Sequence, residues 1–200
     1  MIVTRLIATN AILEDKGVKA GLIVTAGFKD VLVNRRSQIP GGLGGWISFV
    51  PPTPMIPLER TVECTERMSA DGKTVTPVDQ VALRKNLADL RSQNPEAIVI
   101  SFVNGYRNDS HEKIVAEIVR DVFGPDIEVV CSAEVLPELG EYERTVTAAA
   151  NAVVKPLIRK YLRGLEHLLE EDSDTIRILK SDGGLTSLDL ASELPVNLLM

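Results

Sequence analysis

Aromatic residues are scarce in this chain, 4% of 200 residues with a single Trp. So few rings cannot form the stacking surface on which single-stranded bases sit, and no block of Lys and Arg replaces it. The net charge is −6. Nucleic acid is therefore not an expected partner. Cysteine is also rare: Cys64 and Cys131 stand far apart, with no other Cys or His at ligand spacing. That excludes a disulfide framework and a thiolate metal site, and leaves free buried thiols in a reducing cytoplasm as the expectation. No apolar run approaches the roughly 18 residues needed to cross a bilayer, and the opening residues do not read as a secretion signal. Also missing are the Gly-x-Ser-x-Gly elbow, the Walker A loop and the Gly-x-Gly-x-x-Gly fingerprint.

What is present is an ordinary globular composition, 44% hydrophobic and 25% charged, patterned as alternating strands and helices. Continuous apolar runs over 19–25, 97–103 and 127–132 predict buried parallel strands, and 175–180 a further strand. Helices are expected over 10–15, 28–33, 80–92, 113–122 and 188–193. Asp71-Gly72 supplies the reversal of a hairpin over 61–76, with Glu63, Glu66 and Arg67 on its solvated face. Residues 34–59 hold most of the local Gly and Pro and read as a long loop, in which Trp46 and Phe49 either cover a pocket or pin the loop to the core. The chain is organised around 132–169. Here Val146, Ala150, Val153, Leu157, Tyr161, Leu165 and Leu168 recur at helical spacing, and Pro156 predicts a kink or two abutting helices.

Three groups of residues are candidates for chemistry. Ser181-Asp182-Gly183-Gly184 follows a strand and precedes a helical segment, so its amides suit an anion, although a plain strand-to-helix turn explains it equally. Residues 106–112 sit after a parallel strand, where open α/β sheets bind ligands. There, however, Asp109 or Ser110 reads as a helix cap and His111 as a capping or surface residue. Glu141, Glu143 and Arg144 open the long helix, either as an ion pair suited to its dipole or as charges placed in a cleft between domains.

Several stretches in series resemble the hydantoinase A/5-oxoprolinase family of ATP-dependent cyclic-amide hydrolases and their carboxylase relatives. They are residues 8–17, 21–32, 57–79, 97–112, 132–145, 151–162 and 179–191. The resemblance implies an α/β fold made of parts of two ribonuclease-H-like (actin-like ATPase) domains with a β-hairpin and loop insertion over 34–78. Residues 1–137 would belong to the N-terminal domain and 138–200 to the start of the second. The family's Asp-x-Gly-Gly-Thr and Ser-Gly-Pro-Ala-Gly-Gly phosphate loops are not in this sequence, and Arg5-Leu6-Ile7 and Val33-Asn34-Arg35-Arg36 depart from its pattern. The chain is accordingly expected to be an internal fragment, inactive alone.

Carried over residue by residue, the resemblance assigns Thr9, Asn10, Ser181, Asp182, Gly183 and Gly184 to the nucleotide cleft, and Glu143 and Arg144 to catalysis. It implies ATP and Mg2+ as cofactors, a small cyclic amide such as a hydantoin or 5-oxoproline as substrate, and a hydantoinase B-like partner subunit. A ketone carboxylase subunit and a non-catalytic scaffold are the alternatives.

Overall fold

The computed structural model describes residues 9–14, 16–39, 41–169 and 176–199; the side chains of Leu43, Trp46 and Leu169 lie outside the described set. After a helix over 9–13 (α1), the chain enters β1 (Ala20–Thr25), whose six residues are all buried. The 34–59 stretch is less irregular than expected. α2 (Val31–Asn34) leads into it, and it contains α3 (Gly42–Ser48) and, at its end, the start of a short 3-10 turn. Next come β2 (Thr61–Cys64), β3 (Arg67–Met68), β4 (Thr74–Thr76) and α4 (Gln80–Ser92), whose cap Asp79 accepts the Ala82 amide at 3.0 Å. β5 (Ala97–Ser101), α5 (Ser110–Phe123), β6 (Glu128–Cys131) and α6 (Ser132–Val135) lead to the long α7 (Glu141–Leu169). The described chain closes with β7 (Arg177–Leu179), β8 (Leu185–Ser187), α8 (Leu188–Glu193) and a 3-10 turn.

Four strands form one parallel sheet in the order β2-β1-β5-β6, with Leu22 opposite Thr61 and Val99, and Ile98 opposite Val129. The residues are apolar on both faces because both faces are covered. Ala20, Leu22, Val24, Ala97, Val99 and Val130 pack with α7, whereas Ile23, Ile98, Ile100 and Cys131 pack with α4 and α5. The sheet is thus the middle of three layers. In strand sequence the order is second, first, third, fourth, so the topological switch point lies between β1 and β5.

Four expectations change. The predicted 61–76 hairpin divides: β2 joins the parallel sheet, and only β3 and β4 pair antiparallel around Asp71-Gly72. Ser181–Gly184 connect the antiparallel strands β7 and β8, so they are a hairpin turn and not a strand-to-helix turn. α7 runs unbroken through Pro156. Its buried face is also wider than expected: Ala150 and Val153 are buried and Val146, Leu157 and Tyr161 pack against the core, but Ala148, Ala149, Ala152, Val154, Ile158 and Leu162 are fully buried beside them while Leu168 is exposed. Alanines bring the helix axis close to the sheet, a gain that a count of large apolar residues does not register.

Near Pro156 the helix carbonyl of Val153 accepts the Val18 amide at 3.0 Å. Further along, Lys155 and Arg159 each bridge Glu128 of β6 and Glu193 of α8, with all four N–O distances at 2.6–2.9 Å. These bonds hold α7 against both its preceding sheet and its following hairpin unit.

Candidate functional site

A cavity of about 660 Å3 opens where β1 ends and α7 begins. It is lined by Gly27 and Phe28 after β1, by Asn34, Arg35 and Arg36 at the end of α2, and by Gly140 to Glu143 at the start of α7. The location follows from topology, since α/β sheets leave a crevice at the carboxyl ends of strands beside the switch point. Gly27 has φ +87, and its amide donates to Glu63 Oε1 at 2.7 Å, which turns the chain away from the sheet. Across the cavity Arg36 Nε meets Glu143 Oε1 at 2.6 Å. The Glu143 carboxyl is held below its usual range, first by its own backbone amide and then by Arg36.

Behind this exposed pair lies a buried polar assembly. Glu112 accepts from the Phe102 amide (3.0 Å), the Ser132 hydroxyl (2.7 Å) and the Ala133 amide (3.0 Å). Arg144 donates to Ser132 Oγ (3.2 Å), Glu138 O (3.1 Å) and Phe102 O (2.5 Å). Both side chains are fully buried. Burial pushes the Glu112 carboxyl up, against the opposing pull of its three donors and of the Arg144 charge. Next to Phe102 and Arg144 in sequence, Ser101 and Thr145 share a 2.7 Å hydrogen bond between β5 and α7.

A second buried chain runs under the end of β1. Thr25 Oγ1 accepts the Val103 amide at 3.0 Å and donates to Glu66, whose other oxygen meets His111 Nδ1 at 2.6 Å. The β3–β4 hairpin closes over it, fixed by Asn104 to Met68 O and Asn108 to Gly72 O, each 2.9 Å. This corrects two expectations. Glu66 is not on a solvated strand face and His111 is not a surface residue; both are buried, because each supplies the other's polar partner.

The residues assigned to a site are not brought together. Glu143 lines the cavity and Arg144 lies immediately behind it, with all its described donors spent on protein acceptors. Thr9 and Asn10 are on α1, whose neighbours Ala11 and Ile12 line a separate cleft with Lys19 and Glu96 at the amino ends of β1 and β5. The hydroxyl of Thr9 is buried with no hydrogen-bonding partner among the described residues. Ser181 to Gly184 form the β7–β8 turn. Three of their four amides are engaged within the chain: Ser181 N to Asn197 O (2.9 Å), Gly183 N to Lys180 O (3.1 Å) and Gly184 N to Asp182 Oδ1 (2.8 Å).

Glu66, Glu112 and the cleft arginines were absent from the residues assigned to a site. The one signal available for Glu112 was its place in the first turn of a helix after a parallel strand.

The matches to known proteins follow the same order along the chain. Residues 4–123 match the hydantoinase/oxoprolinase N-terminal region, and residues 144–200 match hydantoinase/oxoprolinase. The chain belongs to the hydantoinase/oxoprolinase family. The alpha subunit of caprolactamase from Pseudomonas jessenii is 33% identical over 193 residues, 96% of this chain and 28% of that subunit. The crystal structure of the ATP-dependent caprolactamase from that organism superposes with a TM-score of 0.81 at 29% identity, again covering 96% of this chain and 28% of the other. 5-oxoprolinase from Saccharomyces cerevisiae is 28% identical over 207 residues, 90% of this chain and 16% of that protein. The nucleotide-free acetone carboxylase structure superposes with a TM-score of 0.83 at 26% identity, covering 96% of this chain and 28% of that one. This chain therefore spans less than a third of the length of these relatives. Among the described residues no helix is long and apolar enough to cross a membrane.

Proposed function

We propose that this chain is part of an ATP-dependent hydrolase that opens a cyclic amide. The observation that carries the reading is the caprolactamase likeness, which extends over 96% of the chain in both sequence and fold. In this reading the ring amide enters the cavity at the end of β1. Glu143 faces it, and Arg144 acts from behind by fixing the start of α7.

The nucleotide and its Mg2+ are assigned chiefly to groups outside these residues, because three of the four Ser181–Gly184 amides are engaged within the chain and neither of the family's phosphate loops is in the sequence. Thr9 and Asn10 remain nucleotide-side candidates on the strength of the unpartnered Thr9 hydroxyl. The wider reading keeps two ribonuclease-H-like lobes in the parent protein, divided near residues 137–138. The change from one family region to the next between 123 and 144 supports that division. The name of the caprolactamase alpha subunit supports a hydantoinase B-like partner. Free Cys64 and Cys131 support a cytoplasmic setting.

ADP release by the full-length parent with its partner subunit tests the reading. Release is expected with caprolactam, hydantoin or 5-oxoproline, and not from the 200-residue chain alone. The acetone carboxylase likeness keeps one second reading in play. ADP release only with acetone or acetophenone plus bicarbonate would assign a ketone carboxylase instead, and no nucleotide binding by the parent would leave a scaffold.

A further inference from the structure

We propose that Arg35 and Arg36 form a carboxylate seat on the cavity, so that the cyclic amides admitted there carry a ring carboxylate. This rests on the ring-opening reading above and narrows its substrate class.

The two arginines are adjacent in sequence and both line a cavity large enough for a small ring, about 660 Å3. The segment that presents them is held in an unfavourable backbone: Arg35 has φ +54 and Ser37 φ +52. Left-handed geometry at two side-chain-bearing residues within three positions opposes local preference, and such geometry concentrates at ligand clamps. Arg35 makes no side-chain hydrogen bond or ion pair among the described residues.

Arg36 has one described partner, and it is itself a carboxylate. Glu143 reaches it at 2.6 Å. Space for that carboxylate is made by Gly140, where an added Cβ would stand 2.8 Å from Glu143 Oε2. The chain thus already places one carboxylate against Arg36, in a position open to solvent, where water competes with the pair and a ligand can replace it. A guanidinium binds any carboxylate by the same charge-assisted hydrogen bonds. Asp30 and Glu141 also line the cavity. They disfavour an anion that fails to engage the arginines, and so favour one compact carboxylate over diffuse negative charge.

An NMR titration of the isotopically labelled 200-residue chain, without nucleotide, decides it. The probes are 5-oxoproline and 2-pyrrolidinone, the same five-membered ring with and without the carboxylate. 5-oxoproline is expected to bind at least about tenfold more tightly, with shifts at 35–38 and 140–143. Arg35→Gln and Arg36→Gln should each weaken it several-fold, while Glu143→Gln, which vacates Arg36, should strengthen it about threefold or more. All three side chains are exposed at the cavity, so unchanged unfolding midpoints will report that the variants are folded.

Equal binding of the two rings, or no binding of 5-oxoproline, overturns the seat while leaving ring opening to be judged by ADP release. If acetate binds as well as 5-oxoproline while 2-pyrrolidinone does not, the seat stands and the ring-opening reading loses its support here. Inorganic phosphate binding more tightly than either would overturn the carboxylate assignment.

Discussion

Arg144 Nη2 lies 2.5 Å from the carbonyl oxygen of Phe102, and the amide of the same Phe102 donates to Glu112 at 3.0 Å. The backbone of Phe102, the residue just beyond the end of β5, is therefore held through its amide by Glu112 and through its carbonyl by Arg144. Ser132 completes the ring by accepting from Arg144 and donating to Glu112. Through these bonds the end of the sheet, the start of α5, the start of α6 and the first turn of α7 become one rigid corner. The cavity wall that carries Glu143 is built on it.

Removing the cation from that corner should be costly. Arg144→Met leaves Glu112 buried without its neighbouring charge, takes the described donor from the Glu138 carbonyl and leaves the Phe102 carbonyl with the Gly105 amide alone. Losing one partner of a buried charge pair typically costs about 3–5 kcal/mol. Urea denaturation of the variant is expected to show a loss of that order, with Arg144→Lys intermediate. A loss below about 1 kcal/mol would show that the corner is held by other means.

The same corner has a pH signature. Burial raises the Glu112 carboxyl above the ordinary 4.5, so the native state binds a proton more tightly than the unfolded state does. Between the unfolded value and the raised native one, stability falls as pH rises. Glu112→Gln loses hydrogen bonds but cannot ionise. The stability gap between wild type and variant should be largest in acid and shrink as the solution is taken toward neutrality. A gap that widens with rising pH would contradict the assignment.

Gly17 is a packing requirement. A Cβ there would sit 2.0 Å from Val153 Cγ1, beside the α7 carbonyl that accepts the Val18 amide. Gly17→Ala should destabilise by about 1–3 kcal/mol, and Val153→Ala should recover part of that loss when combined with it. Strict additivity in the double mutant would mean that the two sites do not touch.

Neither thiol should react in the folded protein. Burial pushes both Cys64 and Cys131 up to about 12, with neighbouring carboxylates adding to the effect. At pH 8 the thiolate needed for attack is then nearly absent. A disulfide reagent should label neither cysteine until urea unfolds the chain, and then both. Rapid native labelling would count against the burial of these strands.

The strands of the parallel sheet were readable wherever burial was complete. Ala20–Thr25 and Ala97–Ser101 are uninterrupted apolar runs, and only a sheet covered on both faces makes such runs favourable. The start of α4 was readable at residue 80 because its cap, Asp79, acts by a contact within four residues. Glu66 and His111 were misread for the opposite reason. Each is a polar residue whose burial depends on a partner 45 positions away, and local spacing carries no trace of that partner.

Strand and helix type, the α/β rhythm and the family were determined by residue order alone, because they depend on short-range periodicity and on motifs kept in series. The position of the cleft, the pairing of Arg36 with Glu143 and the placing of Ser181–Gly184 in a hairpin turn were decided only by the tertiary structure. Those features depend on which carboxylate, amide or arginine finds which partner once distant segments are packed together.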